Sequence, residues 1–368
     1  MKNVRKPTRR IHESILPILT AFLIGLGCSS MDRQPRNVIL FIGDGMGVCH
    51  VTAAKTVAGR LAMERFKTAG FYTTHSSDRY VTDSAASATA LATGEKTYNG
   101  AISVSPDTTM LKTVLEYAED LGKSTGLVAT ASVTHATPAA FASHVDTRRN
   151  QTTIAEHLLS SGVDVLFGGG LGYFLPSTDS RSLREDAANL IARFGETHRV
   201  DTTIASFRAI DETGRAVALL ASGHLPPVHE RIVPLAEMTQ RAVSILSKNK
   251  AGFFLMVEGS QIDWEGHDNN TQGIVQETLD FDKAVAAGLD FAEAEGRTLV
   301  LVTADHETGG FALENGSLTE HTIVGDFTTG SHTGTMVPLF AFGPGSARFG
   351  GIHDNTFIGQ TLIEFFQK

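Results

Sequence analysis

Residues 37–47 read NVILFIGDGMG, a run of large apolar residues from Val38 to Ile42 that stops abruptly at Gly43-Asp44-Gly45. A short, continuous apolar run bounded by glycine is the pattern of a strand covered on both faces, and such strands belong to largely parallel sheets flanked by helices. Five other runs share the pattern: Thr125–Thr130, Val163–Phe167, Phe253–Val257, Leu299–Thr303 and Pro338–Phe342. Helical patterns separate most of them, as at Met110–Leu121, Gln151–Ser161, Leu235–Ser247 and Gln276–Glu295. The alternation predicts an α/β protein with a largely parallel sheet. Gly168-Gly169-Gly170 lacks both the glycine spacing of a nucleotide fold and a Walker lysine, so it reads as a turn. From about 172 to 234 the pattern weakens and becomes more polar, which reads as an excursion from the core.

A chain of 368 residues with 42% hydrophobic and 19% charged residues can bury a large core, as one big α/β domain or as two ordinary ones. With no long linker or internal repeat, it reads as a single domain over 29–368 behind an export signal over 1–28. That signal has Lys2, Arg5, Lys6, Arg9 and Arg10 before an apolar run from Ile15 to Leu26, too short to span a membrane comfortably. Gly27-Cys28 resembles the end of a bacterial lipoprotein signal, with Cys28 as the lipidated first residue, although Gly25 stands where that pattern has a large aliphatic residue. A periplasmic or outer-membrane lipoprotein and a simply secreted protein are both open. Removing residues 1–27 takes five of the 31 basic residues and Glu13 of the 40 acidic ones, leaving 26 against 39, a net of −13. No basic run interleaved with aromatics is present, so a nucleic-acid-binding module is excluded. If Cys28 is lipidated, Cys49 has no disulfide partner and reads as a small buried residue.

The polar residues that follow the apolar runs carry the chemistry. Val38–Ile42 leads to Asp44, Phe253–Val257 leads to Glu258 and then Asp263 and His267, and Leu299–Thr303 leads to Asp305-His306. Ligands bind at the C-terminal ends of strands in open α/β sheets, so these loops are expected to meet in one crevice. Any one Asp or Glu could merely cap a turn; three such loops with histidines among them form a metal-ligand set, imidazole and carboxylate for zinc, carboxylate and hydroxyl for magnesium. VTDSAASATALATG at 81–94 adds a serine. Thr82 and Asp83 are N-cap types and Gly94 a C-cap, which puts Ser84 in the first turn of an alanine-rich helix, where free N–H groups favour an anion. By itself that segment is an ordinary capped core helix.

These stretches, with THATPAAFASHVDTR at 134–148, VEGSQIDWEGH at 257–267, TADHETGG at 303–310 and SHTG at 331–334, resemble the alkaline phosphatase family in sequence and in order. The resemblance implies a three-layer sandwich, α/β with a central, largely parallel β-sheet flanked by helices. It also implies hydrolysis of small-molecule phosphate monoesters at alkaline pH with two Zn2+ and one Mg2+, and a homodimer. Ser84 matches the nucleophile that becomes a phosphoserine. Asp263, His267 and His332 match the ligands of one zinc, and Asp44, Asp305 and His306 those of the second. Asp44, Thr137 and Glu258 match the magnesium site. Arg148 matches the arginine that grips phosphate, oriented by Asp83.

Two positions depart from the best-known bacterial members: His135 replaces an aspartate near the magnesium, and Trp264 a lysine near the phosphate. The first would leave a third site that prefers another dication or holds magnesium loosely; the second would release product sooner. The Cys/Ser-x-Pro-x-Arg context of sulfatases is absent around Ser84. The diesterases of the wider group often use threonine and lack a matching arginine. The remaining histidines, His144 and His224 among them, read as surface or packing residues.

Overall fold

The computed structural model describes residues 1–3, 34–211 and 214–367. The expected export signal, including Cys28, lies outside the described residues apart from 1–3. Among the described residues, eight strands precede residue 304: β1 (Asn37–Gly43), β2 (Thr68–Thr73), β3 (Ser124–Ser132), β4 (Val165–Gly169), β5 (Arg199–Asp201), β6 (Ala216–Leu219), β7 (Phe253–Gly259) and β8 (Thr298–Thr303). The short β9 (Glu307–Thr308) pairs with β12 (His332–Thr333), and β10 (Phe311–Ser317) forms a hairpin with β11 (Thr322–Phe327). β13 (Val337–Phe342) and β14 (Gly351–Asp354) complete the set.

Ten of these strands form one sheet in the order β14-β2-β13-β8-β1-β7-β3-β4-β6-β5. Every pairing is parallel except those of β13, which runs antiparallel to both β8 and β2. All six apolar runs fall on strands, with β4 starting at Val165 rather than Val163, and β1, β7 and β8 are buried along their whole length. Period-two alternation shows that both sheet faces are covered. Phe253 packs on Phe291 of the helix Thr271–Glu295, while its neighbour Phe254 stacks on Phe141 of the helix Ala136–Ala142 and meets Phe366 of the helix Thr356–Gln367. Each such side chain contributes about 1.5–3 kcal/mol relative to exposure. The result is the three-layer arrangement the sequence implies.

The helix Ser84–Thr93 is buried at all ten residues. Its Ala and Ser side chains let the helix Ala136–Ala142 pack directly against it. Of the two candidate caps, Asp83 does the work: its Oδ1 accepts the Ala86 N–H at 3.0 Å. Gly94 closes the helix in the left-handed conformation, φ 74°.

Two expectations need correction. Part of the excursion at 172–234 rejoins the sheet, because β5 and β6 extend it beyond β4. These strands have three and four residues, too short for a periodic signal. Gly168 and Gly169 lie within β4, and only Gly170, φ 96°, makes the turn.

Candidate active site

Register delivers the carboxylates to one edge. Gly43 of β1 pairs with Gly259 of β7, and Ile42 with Thr303 of β8, so Asp44, Glu258 and Asp305 emerge together at the C-terminal ends of three parallel strands. The turn after β3 brings His135 and Thr137 to the same edge at the start of the helix Ala136–Ala142.

Asp44, Glu258 and Asp305 are fully buried. Neither oxygen of Asp44 or Glu258 has a hydrogen-bond partner, nor do Asp305 Oδ2 and Thr137 Oγ1. Burial, with the neighbouring Asp305, Asp263 and Glu258 charges, pushes the Asp44 carboxyl well above its usual range. Burial likewise lifts Glu258 to about 8 and Asp305 to about 6. Acceptors stripped of water and left without donors are costly, and cations are the natural complement.

His267 and His332 give a sharper test of that fit. His267 Nδ1 lies 2.9 Å from the Gly330 carbonyl and His332 Nδ1 2.9 Å from the Thr82 carbonyl, so each Nδ1 carries a proton. In the neutral rings both Nε2 atoms then present lone pairs, yet they face each other at 3.2 Å, with Asp263 oxygens 3.4 and 3.5 Å away. Converging lone pairs with carbonyl partners behind them are a metal-ligand geometry. Hydrogen bonding to Asp263 lifts His267 to about 9. Burial opposes ionisation of Asp263, but its hydrogen bond with His267 and that ring's charge hold its carboxyl well below the usual range.

His306 lies at the centre. Its Nε2 is 3.3 Å from Ser84 Oγ, 3.4 Å from Asp44 Oδ1 and 3.3 Å from Asp305 Oδ2, and its ring stacks on His332 at 3.6 Å. Burial pushes its pKa well below the ordinary value, so the ring is neutral. Its Nδ1 lies 3.2 Å from Thr308 Oγ1, whose hydroxyl donates to Asp263. Ligand atoms gather into three groups: Asp263, His267 and His332; Asp44, Asp263 and His306; Asp44, His135 and Glu258. Asp263 thus borders two groups rather than one.

On the opposite wall Arg148 donates from Nη1 to Asp83 Oδ2 at 3.1 Å and from Nη2 to His135 Nε2 at 3.0 Å. His135 can accept only when neutral, and burial with the Arg148 charge pushes it down to about 3. Asp83 Oδ1 also accepts the Gly100 N–H at 3.1 Å, so both of its oxygens are occupied. Trp264 stands edge-on to His135, ring centroids 6.2 Å apart. Ser84 is 2% exposed.

Every site residue expected from the sequence therefore lies in one crevice. Sequence reading missed the carbonyls of Thr82 and Gly330 and the hydroxyl of Thr308. Thr308 sits inside TADHETGG and could have been singled out; a carbonyl partner leaves no sequence signal. His144 lies outside the crevice, tied to Ser103 and Glu116 at 2.8 and 3.0 Å. Cys49 is half-buried rather than buried, because it lies at the start of the helix Val48–Ala58, where Val48 is exposed.

Among the described residues no helix is long and apolar enough to cross a membrane. A family model described as alkaline phosphatase matches residues 35–324. The chain is 36% identical to alkaline phosphatase 3 of Bacillus subtilis, over 90% of this chain and 89% of that one. It is 33% identical to the alkaline phosphatase of Escherichia coli, over 91% and 86%. Among solved structures it resembles the alkaline phosphatase of the Antarctic bacterium TAB5, with TM-score 0.84 and 40% identity over 91% of this chain and 99% of that one. A TAB5 variant with a histidine changed to glutamate, TM-score 0.83 and 38% identity over 91% and 99%, holds Mg in a site called M3. The likeness extends over about nine-tenths of the chain, and the chain belongs to the alkaline phosphatase family, metal-dependent hydrolases of phosphate monoesters.

Proposed function

We propose that Ser84 is the nucleophile and that the crevice transfers a phosphoryl group first to Ser84 Oγ and then to water. One observation carries the reading: a buried serine hydroxyl at a helix N-terminus lies 3.3 Å from His306 Nε2, which itself lies 3.4 and 3.3 Å from Asp44 and Asp305 oxygens that have no donor. In this reading Asp263, His267 and His332 hold one Zn2+, Asp44, Asp305 and His306 a second, and Asp44, Thr137 and Glu258 a Mg2+ with His135 beside it. When bound, these dications supply the charge that makes a serine alkoxide accessible near neutral pH and that stabilises the entering and leaving oxygens.

The chain's own residues do the rest. Arg148 presents its guanidinium to two phosphoryl oxygens, and Asp83 fixes its direction. The first-turn N–H groups behind Ser84 favour the same anion. Ser84 Oγ bonds to phosphorus as the alcohol departs, and water then breaks the Oγ–P bond; two inversions give net retention at phosphorus. The TAB5 variant with glutamate in place of a histidine holds Mg in its M3 site, and because carboxylate suits magnesium better than imidazole does, a third site lined by His135 would prefer magnesium less. Trp264 shapes the cleft wall without adding a cation.

Residues 29–368 act in this reading as one catalytic domain in a homodimer, exported by the signal at 1–28 and either anchored through a lipid on Cys28 or released. Mass spectrometry of the mature N-terminus distinguishes the two. The central test is turnover of a chromogenic phosphate monoester at alkaline pH, with chelation, metal add-back and Ser84→Ala in parallel. Ser84→Ala is expected to lose ~10³-fold or more in kcat/KM. Wild-type turnover by that variant would sink the phosphoserine route. Faster cleavage of a sulfate ester or a diester by the wild type would sink the substrate class.

A further inference from the structure

The glycines of β4 and the irregular stretch after 172 meet at the edge of the crevice. Gly170 N–H bonds to the carbonyls of Ala221 (3.0 Å) and Gly223 (2.5 Å), Leu171 N–H to Ala221 (2.9 Å) and Gly172 N–H to Ser222 (2.9 Å). A Cβ on Gly169 would collide with the Gly223 carbonyl oxygen, so glycine at 169 admits this loop against the sheet. From the other side Leu225 N–H bonds to the Thr130 carbonyl at 3.2 Å, and Gln261 Nε2 donates to the carbonyls of Thr130 (3.1 Å) and Leu225 (2.9 Å). The loop at 221–225 is clamped between β3, β4 and the helix Gln261–His267.

What the clamp delivers is His224. Ser132 N–H donates to His224 Nδ1 at 3.0 Å, which places the imidazole proton on Nε2 and fixes the ring plane. That ring stands edge-on to Trp264, centroids 4.7 Å apart at 68°, and edge-on to His135, 5.7 Å apart at 87°. Trp264 meets His135 edge-on as well, so the three rings brace one another. His135 needs such bracing. Its Nε2 must face Arg148, while its Nδ1 has no protein partner; a ring flip would put Cε1 where Nε2 stands and cost Arg148 its acceptor.

We infer that His224 is a positioning residue for phosphate binding: its ring, with Trp264, holds His135 in the orientation that aims Arg148 at the phosphoryl group. The inference rests on the reading of Arg148 as the phosphate ligand. It gives the glycine turn and the excursion a purpose in the reaction, because the first admits and the second carries the residue that steadies the wall.

Two variants separate the ring from its hydrogen bond. His224→Asn retains an acceptor for Ser132 N–H and removes the ring; His224→Phe retains a ring and removes the acceptor. On the metal-loaded full chain we would measure kcat, KM, the inhibition constant for inorganic phosphate and Tm. For His224→Asn, KM and the phosphate inhibition constant are expected to rise about fivefold, the weight of one or two edge-on ring contacts, with kcat changed less and Tm near wild type. His224→Phe is expected to restore most of that loss in KM while its Tm falls. Wild-type phosphate inhibition in His224→Asn overturns the inference, as does His224→Phe weakening inhibition as much as His224→Asn. Arg148→Ala in the same assay checks the ground beneath it. If inhibition survives Arg148→Ala, the phosphate assignment fails; if Arg148→Ala abolishes it and His224→Asn does not change it, only the role of His224 fails.

Discussion

Asp263, His267 and His332 occupy a half-open rim where the His267 side chain is 37% exposed and both imidazoles are already oriented by carbonyls. Asp44, Glu258 and Asp305 lie at the floor, where nothing solvates them and most of their oxygens have no donor. The rim is preorganised and nearly self-sufficient in charge, since Asp263 is balanced by the histidines around it. The floor is an electrostatic deficit built into the core, tolerable only when cations fill it. Metals held by these groups would therefore complete the rim but stabilise the floor. The same ions are expected to matter for rate at both places and for stability mainly at one.

The strongest way to break that contrast is to remove one ligand from each side. Asp44→Asn and His267→Ala should each cost more in kcat/KM than the ~10–100-fold typical of outer-sphere partners. In the metal-free protein the two should part company. Asp44→Asn removes a carboxyl that the fold holds protonated at a pH where the unfolded chain ionises it, so it should raise Tm, by an amount corresponding to about 1–3 kcal/mol, whereas His267→Ala should leave Tm nearly unchanged. A lower metal-free Tm for Asp44→Asn would refute the floor's description as a deficit.

A smaller effect comes from pH. Glu258 near 8, the raised Asp44 and His267 near 9 all bind protons in the metal-free folded state that the unfolded chain has released above about pH 6.5. The folded state binds the more protons, so metal-free stability should fall as pH rises from about 6.5 to 9, by a few °C in Tm on the order of magnitude usual for such shifts. Below that window His135 and His306, whose pKa values are depressed, act with the opposite sign. Loaded with divalent metal, the protein should show a flatter profile, because the carboxylates would then be held ionised. Calorimetry of the two forms across this range checks it; identical slopes would mean that the floor does not titrate.

The smallest prediction concerns the wall. Asp83→Ala removes both the helix N-cap and the Arg148 partner, so it should lower stability by about 1 kcal/mol and weaken phosphate binding less than Arg148→Ala does. Thermal melts and phosphate inhibition of the same preparation decide it.

The central strands were legible because a strand covered on both faces must be continuously apolar, and β1, β7 and β8 are. β2 alternates between buried and exposed positions, and β14 is largely exposed, so neither carries that signature. The reversed direction of β13 leaves no mark in PLFAF, since an apolar run reads the same whichever way its neighbours point. Ser84 and its cap were legible for the opposite reason: helix ends are local, and Asp83 and Gly94 announce them within a dozen residues. His224 was passed over as a surface or packing residue. Nothing near it in sequence tells that a loop from a weakly patterned stretch will dock on Gly169 and Gly170 and press it against Trp264.

By itself, then, the sequence determined the buried strands, the capped helix and the list of groups able to bind metal or phosphate, because burial patterning and helix capping act over a few residues at a time. Tertiary structure decided which of those groups share a ligand set, that Asp263 borders two of them, which nitrogen of His267, His306 and His332 is free, and which ring steadies His135. Those choices depend on strand register, on carbonyls from distant turns and on loop docking, and each is an interaction between segments far apart in the chain that no local pattern encodes.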